Sequence, residues 1–357
     1  MSRKKEAVLK AAESLTENYD REELFMPKNG RSLPNRSVII DLVRDLRSVI
    51  FPGYFGEDTA ARLFPEQFTA FLLNDFYDRL KSQVEIAFLY ADQDIQKEEA
   101  CARAEAICDD FFEKLPEVQK KLLKDVQAGF DGDPAAKSKE EIIFSYPGLF
   151  AIYVYRLAHI LYMEKVPYIP RIMTEYAHGK TGIDINPGAT IGDYFFIDHG
   201  TGVVIGETTE IGKNVKLYQG VTLGGTGKEK GKRHPTLKDN VMVSAGAKIL
   251  GSFTIGENSK IGAGSVVLKE VPPNCTVVGV PGRVVRMGDQ KIPRSDMDQV
   301  HLPDPISNDI RELQKDNIRL QKKVKELEKH MRCVRDNSIE IRPDEAGEDK
   351  EENHENL

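Results

Sequence analysis

The stretch GIDINPGATIGDYFFIDHGTGVVIGETTEIGKNVKLYQGVTLGG, residues 182–225, decides the fold because an aliphatic side chain returns at every sixth position. The register slips once by two residues, between Val203 and Ile205, and it resumes after a break. Its members are Ile185, Ile191, Ile197, Val203, Ile205, Ile211, Leu217, Leu223, Leu237, Val243, Ile249, Ile255, Ile261 and Val267. A period of six is neither the 3.6 of an α-helix nor the 2 of a simple strand, and it is typical of a parallel β-helix.

The expected β-helix covers residues 181–285 and contains one interruption. Between Leu223 and Leu237 the segment GGTGKEKGKRHPT breaks the repeat, so we interpret residues 224–236 as a loop ejected from the coil. Glycines follow the aliphatic position where we expect the chain to turn corners without strain at Cβ, at Gly192, Gly212, Gly256 and Gly262.

Residues 1–180 have the period of α-helices instead. One apolar stripe consists of Ile39, Leu42, Val43, Leu46 and Val49, and another, after Pro65, of Phe68, Leu72, Phe76, Leu80 and Val84. Further helices are expected over 98–115 and 116–126, with Pro116 between them, and Gly179 is the expected C-cap of the last helix. The fold class predicted from the whole chain is therefore α+β, with an α-helical domain followed by a β-helix.

Beyond a linker at residues 286–304, residues 305–335 carry a heptad pattern. Apolar side chains alternate at spacings of four and three, at Ile306, Ile310, Leu313, Leu320, Val324, Leu327, Met331 and Val334, with Asn317 in the same series. This pattern predicts a coiled coil, and a single amphipathic helix packed on the body is the alternative. The acidic segment at 336–357 lacks aromatic residues and is predicted to be disordered.

Composition limits the possible functions of the chain. Its 357 residues are 40% hydrophobic and 30% charged with a net charge of −7, which is unlike a nonspecific nucleic-acid binder. No apolar run is long enough to cross a bilayer, and the N-terminus lacks the apolar core of a secretory signal. The four cysteines, Cys101, Cys108, Cys275 and Cys333, form no CxxC pair, so we expect a cytoplasmic protein without a metal site.

Two histidines interrupt the β-helix pattern and are candidates for chemistry. His199 follows Asp198 at a corner that has no structural need for imidazole, and a neutral imidazole is suited to taking a proton from a hydroxyl. Asp184 lies fifteen residues earlier, a little less than one coil, so we expect its carboxylate to stack near His199 and orient the ring. A histidine that merely completes a corner is the alternative interpretation of His199.

The second histidine, His234, lies beside Arg233 in the ejected loop. A guanidinium binds a carboxylate through two parallel hydrogen bonds, which favours Arg233 as the anchor of a carboxylate substrate. Asp198 and Asp133 would offer negative charge to an ammonium group, so the set would select a zwitterion. A merely solvated loop is an equally simple interpretation of this Gly- and Lys-rich segment.

Several motifs together closely resemble the serine O-acetyltransferase family. They are GIDINPGATIG, IDHGTGVVIGET, VTLGGTGKEKGKRHPTL, AGAKILG, IGAGSVVLKEVP and GVPGRVV, and the helical segment DPAAKSKEEIIFSYPGLFAIYVYRLAH extends the likeness to residues 133–285. The resemblance implies a left-handed β-helix that forms a trimer, or a dimer of trimers, with active sites shared between neighbouring subunits. It also implies L-serine and acetyl-CoA as substrates, no permanently bound cofactor, and feedback inhibition by cysteine.

Carried over to this sequence, the resemblance makes His199 the general base, Asp184 its partner, and His234 a second catalytic or serine-binding histidine. The serine-binding positions that it implies are Asp133, Pro134, Asp198, Gly225, Arg233 and His234. The positions that it implies for acetyl-CoA are Ala245 and Ala263 through their backbone, with Lys260 and Arg283 for the phosphates.

The sequence departs from the family at two places. Asn186 stands where the family commonly has histidine, which suggests altered inhibition. The chain ends in Leu357 after an acidic segment, whereas many members end in an isoleucine that binds O-acetylserine sulfhydrylase, so we expect that complex to be doubtful.

Assembly and function each leave alternatives open. Asn317 at an a position with leucine at most d positions favours two strands, whereas the resemblance implies three subunits, and a trimeric coil or pairing between trimers would reconcile them. The alternative functions are acyl transfer to another hydroxyl acceptor and a noncatalytic assembly scaffold. A zinc β-helix enzyme of carbonic-anhydrase type is disfavoured because the sequence contains no His-x4-His.

Overall fold

The structure is a computed structural model that describes residues 3–21, 31–55, 63–227, 230–287 and 305–337. The chain divides into two compact units, Met1–Pro303 and Asp304–Leu357. Most of the expected linker and of the acidic tail lies outside the described residues.

The first part of the first unit is helical. The helices described there are α1 Arg3–Arg21, α2 Arg36–Ile50, α3 Pro65–Ala91, α4 Lys97–Gly132, α5 Lys139–Ser145, α6 Pro147–Met163 and α7 Ile169–Thr181. The apolar stripe of α2 is confirmed, because Ile39, Leu42, Val43 and Leu46 are buried. The stripe of α3 is buried only from Phe76 onward, since Phe68 and Leu72 near its start stay partly exposed.

Two expectations about helix ends were wrong. The helix α4 runs without a break through Pro116, because buried Leu115 and Val118 on either side hold the backbone where a proline costs about 3 kcal/mol in an isolated helix. Gly179 lies inside α7, and the C-cap is Gly182, whose φ of 70° is the left-handed conformation that glycine adopts without strain.

The second part of the first unit is a parallel β-helix of short strands. They are β1 Asp184–Ile185, β2 Thr190–Ile191, β3 Phe196–Asp198, β4 Val204–Ile205, β5 Glu210–Ile211, β6 Lys216–Tyr218, β7 Thr222–Gly224, β8 Thr236–Leu237, β9 Met242–Val243, β10 Lys248–Leu250, β11 Thr254–Ile255, β12 Lys260–Ile261, β13 Val266–Val267, β14 Cys275–Val278 and β15 Arg283–Met287. Three sheets form its faces, in the orders β1-β4-β7-β10-β13, β11-β8-β5-β2 and β15-β14-β12-β9-β6-β3. The last strand, β15, pairs antiparallel with β14 and ends the parallel coil.

The six-residue register is confirmed, because its aliphatic members all lie inside the coil and are at most 7% exposed. The slip in the register has a physical origin in the first coil. Asp184 pairs with Val204, twenty residues later, whereas Val204 pairs with Thr222, eighteen residues later. The two additional residues belong to the turn between β3 and β4, which carries His199.

The sequence predicted that glycines let the chain turn at the corners, but the structure gives these glycines a different role. At Gly192 an added Cβ would lie 2.6 Å from the carbonyl oxygen of Gly212, so this glycine is required by close stacking of coils and not by its φ. A neighbouring corner position with φ near +60° is occupied by asparagines. Their side chains form a hydrogen-bonded ladder with N–O distances of 2.7, 3.0 and 2.9 Å, along Asn214, Asn240, Asn258 and Asn274.

A buried ion pair joins the helices to the first coil. Arg156 of α6 donates to both carboxylate oxygens of Asp125 on α4, at 2.7 and 2.9 Å, and also to the carbonyl oxygen of Gly192 at 2.9 Å. Asp125 in turn accepts a hydrogen bond from the backbone of Phe195 at 3.0 Å. Because a buried charge without its partner is costly, this pair fixes the helical part against the β-helix.

The second unit contains the helix α8, Pro305–Asn337. Its side chains from Ile310 to Arg332 are exposed. No helix in the described part of the chain combines the length and apolar character needed to cross a membrane.

Candidate active site

His199 is presented to solvent by a strained turn. It follows β3 directly, and its φ of 57° is unusual for a residue with a side chain. The next residue, Gly200, has a φ of 93°, and an added Cβ there would lie 2.4 Å from the Ile183 side chain. The His199 side chain is 73% exposed, and its Nε2 lies 3.8 Å from Oδ1 of Asp198. The turn is therefore tight, and it leaves the imidazole accessible.

Asp198 is buried beside a lysine that the sequence analysis did not identify. The Nζ of Lys216 lies 3.1 Å from Oδ2 of Asp198, and it donates to the carbonyl oxygen of Gly132 at 2.6 Å. The same ammonium lies over the rings of Phe196 and Tyr218, at 5.0 and 4.3 Å from their centroids. Lys216 thus joins the first coil to the end of α4.

Asp133 occupies the C-cap of α4, directly after Gly132, whose carbonyl oxygen Lys216 contacts. Its Oδ2 accepts a hydrogen bond from the Tyr146 hydroxyl at 2.6 Å, and its Oδ1 accepts one from the backbone of Ala135 at 2.8 Å. Burial opposes ionisation of Asp133, but these hydrogen bonds and the charges of Lys216 and His199 outweigh it, so the pKa of Asp133 lies below its usual value. Asp133 is therefore an ionised carboxylate near the His199 turn, with exposed Pro134 next to it.

Asp184 faces an arginine in this structure and not His199. Its Oδ1 lies 3.6 Å from Arg171 of α7. Among the described residues, no hydrogen bond or ion pair joins Asp184 to His199 within one chain. The orienting role of Asp184 therefore stays a prediction.

Asp184 also belongs to a group of potential metal ligands. One ligand atom each from Glu175, His178 and Asp184 lies within 4.8 Å of the others. Arg171 forms ion pairs with both Glu175 and Asp184, so a cation already lies within this group. We therefore assign no metal site to it.

His234 lies at a different corner from His199, where Thr208 binds it and Gly206 leaves room for its ring. Its Nδ1 accepts the backbone N–H of Thr208 at 3.1 Å, and the Thr208 hydroxyl accepts the backbone N–H groups of His234 and Arg233 at 3.1 and 3.0 Å. The ring fills the space beside Gly206, where an added Cβ would lie 2.1 Å from it. Burial and the charge of Arg233 lower the pKa of His234. The ring is therefore neutral near pH 7, with its proton on Nε2.

Arg233 is clamped by a carboxylate of the same corner. Its Nη2 donates to Oε2 of Glu207 at 2.5 Å, and Oε1 of Glu207 accepts the Tyr162 hydroxyl at 2.8 Å. Gly225 lies against the arginine, since an added Cβ would be 3.2 Å from its carbonyl oxygen. An open cleft of about 510 Å³ borders Arg233, Glu207 and Tyr162. The guanidinium is thus held at the edge of a space that could admit a small molecule.

The two histidines lie at different corners of the β-helix. His199 precedes β4, at the end where the chain enters the β1-β4-β7-β10-β13 face. His234 packs on the turn that follows β4, where the chain leaves that face. One chain therefore does not bring the two imidazoles together.

Ala245 and Ala263 lie in the same corner column as the His199 turn. Successive turns are joined by backbone hydrogen bonds of 2.8–2.9 Å from Gly202 to Gly182, Gly220 to Thr201, Gly246 to Gln219 and Gly264 to Ala245. This column gives a continuous backbone edge that starts beside His199, and at Ala245 and Ala263 its side chains are small. Of the two cations assigned to phosphates, Lys260 is only 6% exposed, whereas Arg283 is exposed.

Sequence reasoning missed three residues of these corners: Lys216, Glu207 and Thr208. Thr208 contacts His234 across 26 residues, and Glu207 contacts Arg233 across the same separation. Their only signal in the sequence was the polar pair Glu-Thr placed directly after a glycine in the coil.

Comparisons with known proteins give a consistent picture. The family model described as bacterial transferase hexapeptide (six repeats) matches residues 234–269. The serine acetyltransferase of Bacillus subtilis is 55% identical over 200 residues, which are 56% of this chain and 92% of that protein. The serine acetyltransferase of Synechococcus elongatus is 50% identical over 194 residues, 54% of this chain and 79% of that protein.

Solved structures agree with these relatives. Entamoeba histolytica serine acetyltransferase 1 in complex with L-cysteine superposes with a TM-score of 0.60 at 38% identity, covering 66% of this chain and 86% of that one. The Vibrio cholerae serine acetyltransferase superposes with a TM-score of 0.52 at 33% identity, covering 74% of this chain and 98% of that one. With its helical part, its β-helix and the corners that carry His199 and His234, this chain belongs to the serine acetyltransferase family.

Proposed function

We propose that this protein transfers the acetyl group of acetyl-CoA to the hydroxyl of L-serine, giving O-acetyl-L-serine and CoA, in the cytoplasm and on the route to cysteine. The observation that carries the proposal is the exposed imidazole of His199, on a left-handed turn that the β-helix itself does not need. The activity named for relatives that are 50 and 55% identical supports the choice of serine as acceptor.

His199 acts as the general base in this proposal. Its neutral imidazole takes the proton of the serine hydroxyl while that oxygen forms a bond to the thioester carbonyl carbon. The C–S bond then breaks, the electron pair leaves with sulfur, and the proton held by His199 passes to the CoA thiolate. Asp184 would orient the ring and stabilise the imidazolium, which requires that Asp184 turn from its partner Arg171.

The zwitterionic serine is bound by opposite charges at its two ends. Arg233, already oriented by Glu207, binds the carboxylate, and Gly225 leaves room for the approach. The carboxylates of Asp198 and of Asp133, which precedes Pro134, attract the ammonium group. Lys216 beside Asp198 moderates that attraction.

His234 acts as a neutral hydrogen-bond donor. Because Nδ1 is occupied by the Thr208 N–H, the proton is on Nε2 and can be offered to the substrate or to the oxyanion that develops on the thioester. A positively charged His234 would lose the acceptor function of Nδ1 and its hydrogen bond from Thr208. His234 thus complements His199 and does not duplicate it.

Acetyl-CoA would lie along the corner column that starts at the His199 turn. The backbone at Ala245 and Ala263 lines this edge, and their small side chains leave it open. The exposure of Arg283 favours it over the buried Lys260 as a partner of the CoA phosphates.

The complete site would form between neighbouring subunits of a trimer. The His199 corner of one subunit and the His234 corner of the next would close one site, since the two corners lie at opposite ends of the same face. We further propose that cysteine, which the Entamoeba histolytica enzyme binds, competes with serine here. Asn186 at the family's usual histidine position would alter that inhibition.

The test is CoA release from acetyl-CoA by the purified chain, with L-serine, homoserine or no acceptor. A strong preference for L-serine is the expected result. Equal or better turnover with homoserine would point to another hydroxyl acceptor. No turnover with any acceptor would contradict the proposal and would favour the alternative of a noncatalytic assembly scaffold.

A further inference from the structure

The helix α8 carries an exposed apolar stripe, which we name the α8 seam. Its described members repeat at spacings of three and four residues, and they are Ile310, Leu313, Asn317, Leu320, Val324, Leu327 and Met331. The apolar members are 49–72% exposed, and Asn317 is exposed as well. The rest of the helix is almost entirely charged or polar. An amphipathic helix with such a stripe gains stability by burying it against a partner.

The composition of the α8 seam identifies a second copy of this chain as that partner. Ile310 and Val324 are β-branched residues at a positions, and leucine occupies the d positions at Leu313, Leu320 and Leu327, which is the combination that favours two parallel strands. Asn317 is the one polar a position. In a parallel pair in register it faces its own copy, and the two amides satisfy each other, whereas an antiparallel pair would set it against leucine.

Charged residues beside the seam agree with a parallel pair. Lys323 lies at a g position and Glu328 at the following e position, five residues later, where the two meet across a parallel interface. The apolar residue Ile318 lies at a b position, away from the seam. It therefore provides a matched control on the same helix.

We propose that α8 pairs with α8 of a second copy as a parallel two-stranded coiled coil. If the β-helices form trimers, as the proposed function assumes, pairing within one trimer uses two of its three helices and leaves one over, so pairing of every helix requires pairs that join different trimers. The coil would then link catalytic trimers into a larger assembly.

The test is a disulfide across the seam in the full-length protein. In a Cys333→Ser background, Asn317→Cys places the two thiols opposite each other, within the Cα separation that a disulfide allows. We expect mild oxidation to convert nearly all chains to a covalent dimer, whereas Ile318→Cys gives little. Cys101, Cys108 and Cys275 are common to both variants, so any dimer that they form appears in the control.

The yield separates the possible arrangements. In a three-stranded coil one chain of three stays without a partner, so dimer would stop at about two thirds of the chains and overturn the proposal. No dimer, or the same yield with Ile318→Cys, would also overturn it. Adding Leu320→Glu to Asn317→Cys is expected to abolish the covalent dimer. A dimer that still forms would contradict pairing through the α8 seam.

The acetyl-transfer assay on the same variants keeps the two proposals apart. None of the substituted residues lies in the site, so kcat per chain should stay within about twofold of the unaltered protein. An inactive protein that still forms the dimer would contradict the proposed function and leave the coiled coil standing.

Discussion

Two corners of one β-helix hold their histidines in opposite ways. At the His199 corner the imidazole is 73% exposed and its nearest carboxylate oxygen on Asp198 is 3.8 Å away. At the His234 corner the residue is 9% exposed, and Thr208 binds both its ring and its backbone. The first arrangement leaves a ring nitrogen accessible to take a proton, and the second fixes the tautomer and the direction of a donor. In the proposed mechanism the same scaffold thus supplies a base and a hydrogen-bond donor.

The largest predicted effect is at the exposed corner. Replacing His199 by alanine removes the base, so kcat should fall by about 10²- to 10⁴-fold with little change in the melting temperature. Steady-state kinetics with L-serine and thermal unfolding measure the two quantities. Near-normal kcat would show that His199 merely completes a corner.

A smaller effect is predicted at the clamped corner, and it should concern binding. Arg233→Ala should raise KM for serine by roughly 10- to 100-fold, the value of one charge-assisted carboxylate contact, and KM for acetyl-CoA far less. Glu207→Gln should raise the KM for serine in the same direction but less, because it loosens the guanidinium without removing it. Equal changes in the two KM values would rule out Arg233 as the serine anchor.

The role of Thr208 can be tested with its own neighbour as control. Thr208→Val removes the hydroxyl that accepts two backbone N–H groups, and should lower kcat by roughly 3- to 10-fold. Thr209→Val removes a buried hydroxyl that has no hydrogen-bond partner among the described residues, and should leave kcat unchanged. Equal losses of kcat in the two variants would show that the hydrogen bonds of the Thr208 hydroxyl to Arg233 and His234 do not matter for catalysis.

The pH dependence of Thr208→Val has a defined sign. Burial and the charge of Arg233 keep the pKa of His234 below that of a free imidazole, so the neutral donor persists as the pH falls. Loosening the ring lets the pKa of His234 rise toward about 6.5, so an NMR titration should show this ring becoming protonated at a higher pH than in the unaltered protein. A His234 titration that stays in place or moves to lower pH would contradict the role of Thr208.

The smallest predicted effect concerns Lys216, whose replacement should improve the binding of serine. Its ammonium lies 3.1 Å from Asp198, in competition with the substrate's ammonium. Lys216→Gln should therefore lower KM for serine by a few-fold, about the value of a partly screened charge pair. A higher KM would indicate that Lys216 positions Asp198 instead of competing for it.

The fold was largely predictable because burial in a β-helix repeats with the chain itself. The period of six identified the buried aliphatic positions, and the slip marked the turn of His199. The asparagine ladder was not predictable from spacing, since a lone Asn214 is an ordinary turn residue until it stacks on Asn240. The continuity of α4 through Pro116 depends on burial by other helices, which local propensity does not contain.

Candidate site residues stood out in the sequence where a residue type broke the pattern, as at His199 and His234, and their roles stay predictions. Glu207 and Thr208 were missed because their partners are 26 residues away, across the ejected loop. Lys216 was missed because a lysine on a strand is usually a solvated surface residue. Contacts between successive coils are not written in any local pattern of the sequence.

In the proposed function, one active site combines the two corners of neighbouring subunits. It is tested most directly by mixing His199→Ala and His234→Ala subunits, each nearly inactive alone, in equal amounts and reassembling them. If the corners come from adjacent subunits of a trimer, random mixing creates intact sites at about one quarter of the unaltered number, and activity should return to that level. Activity that stays at the level of the separate variants would show that both histidines act within one chain, and would contradict the account.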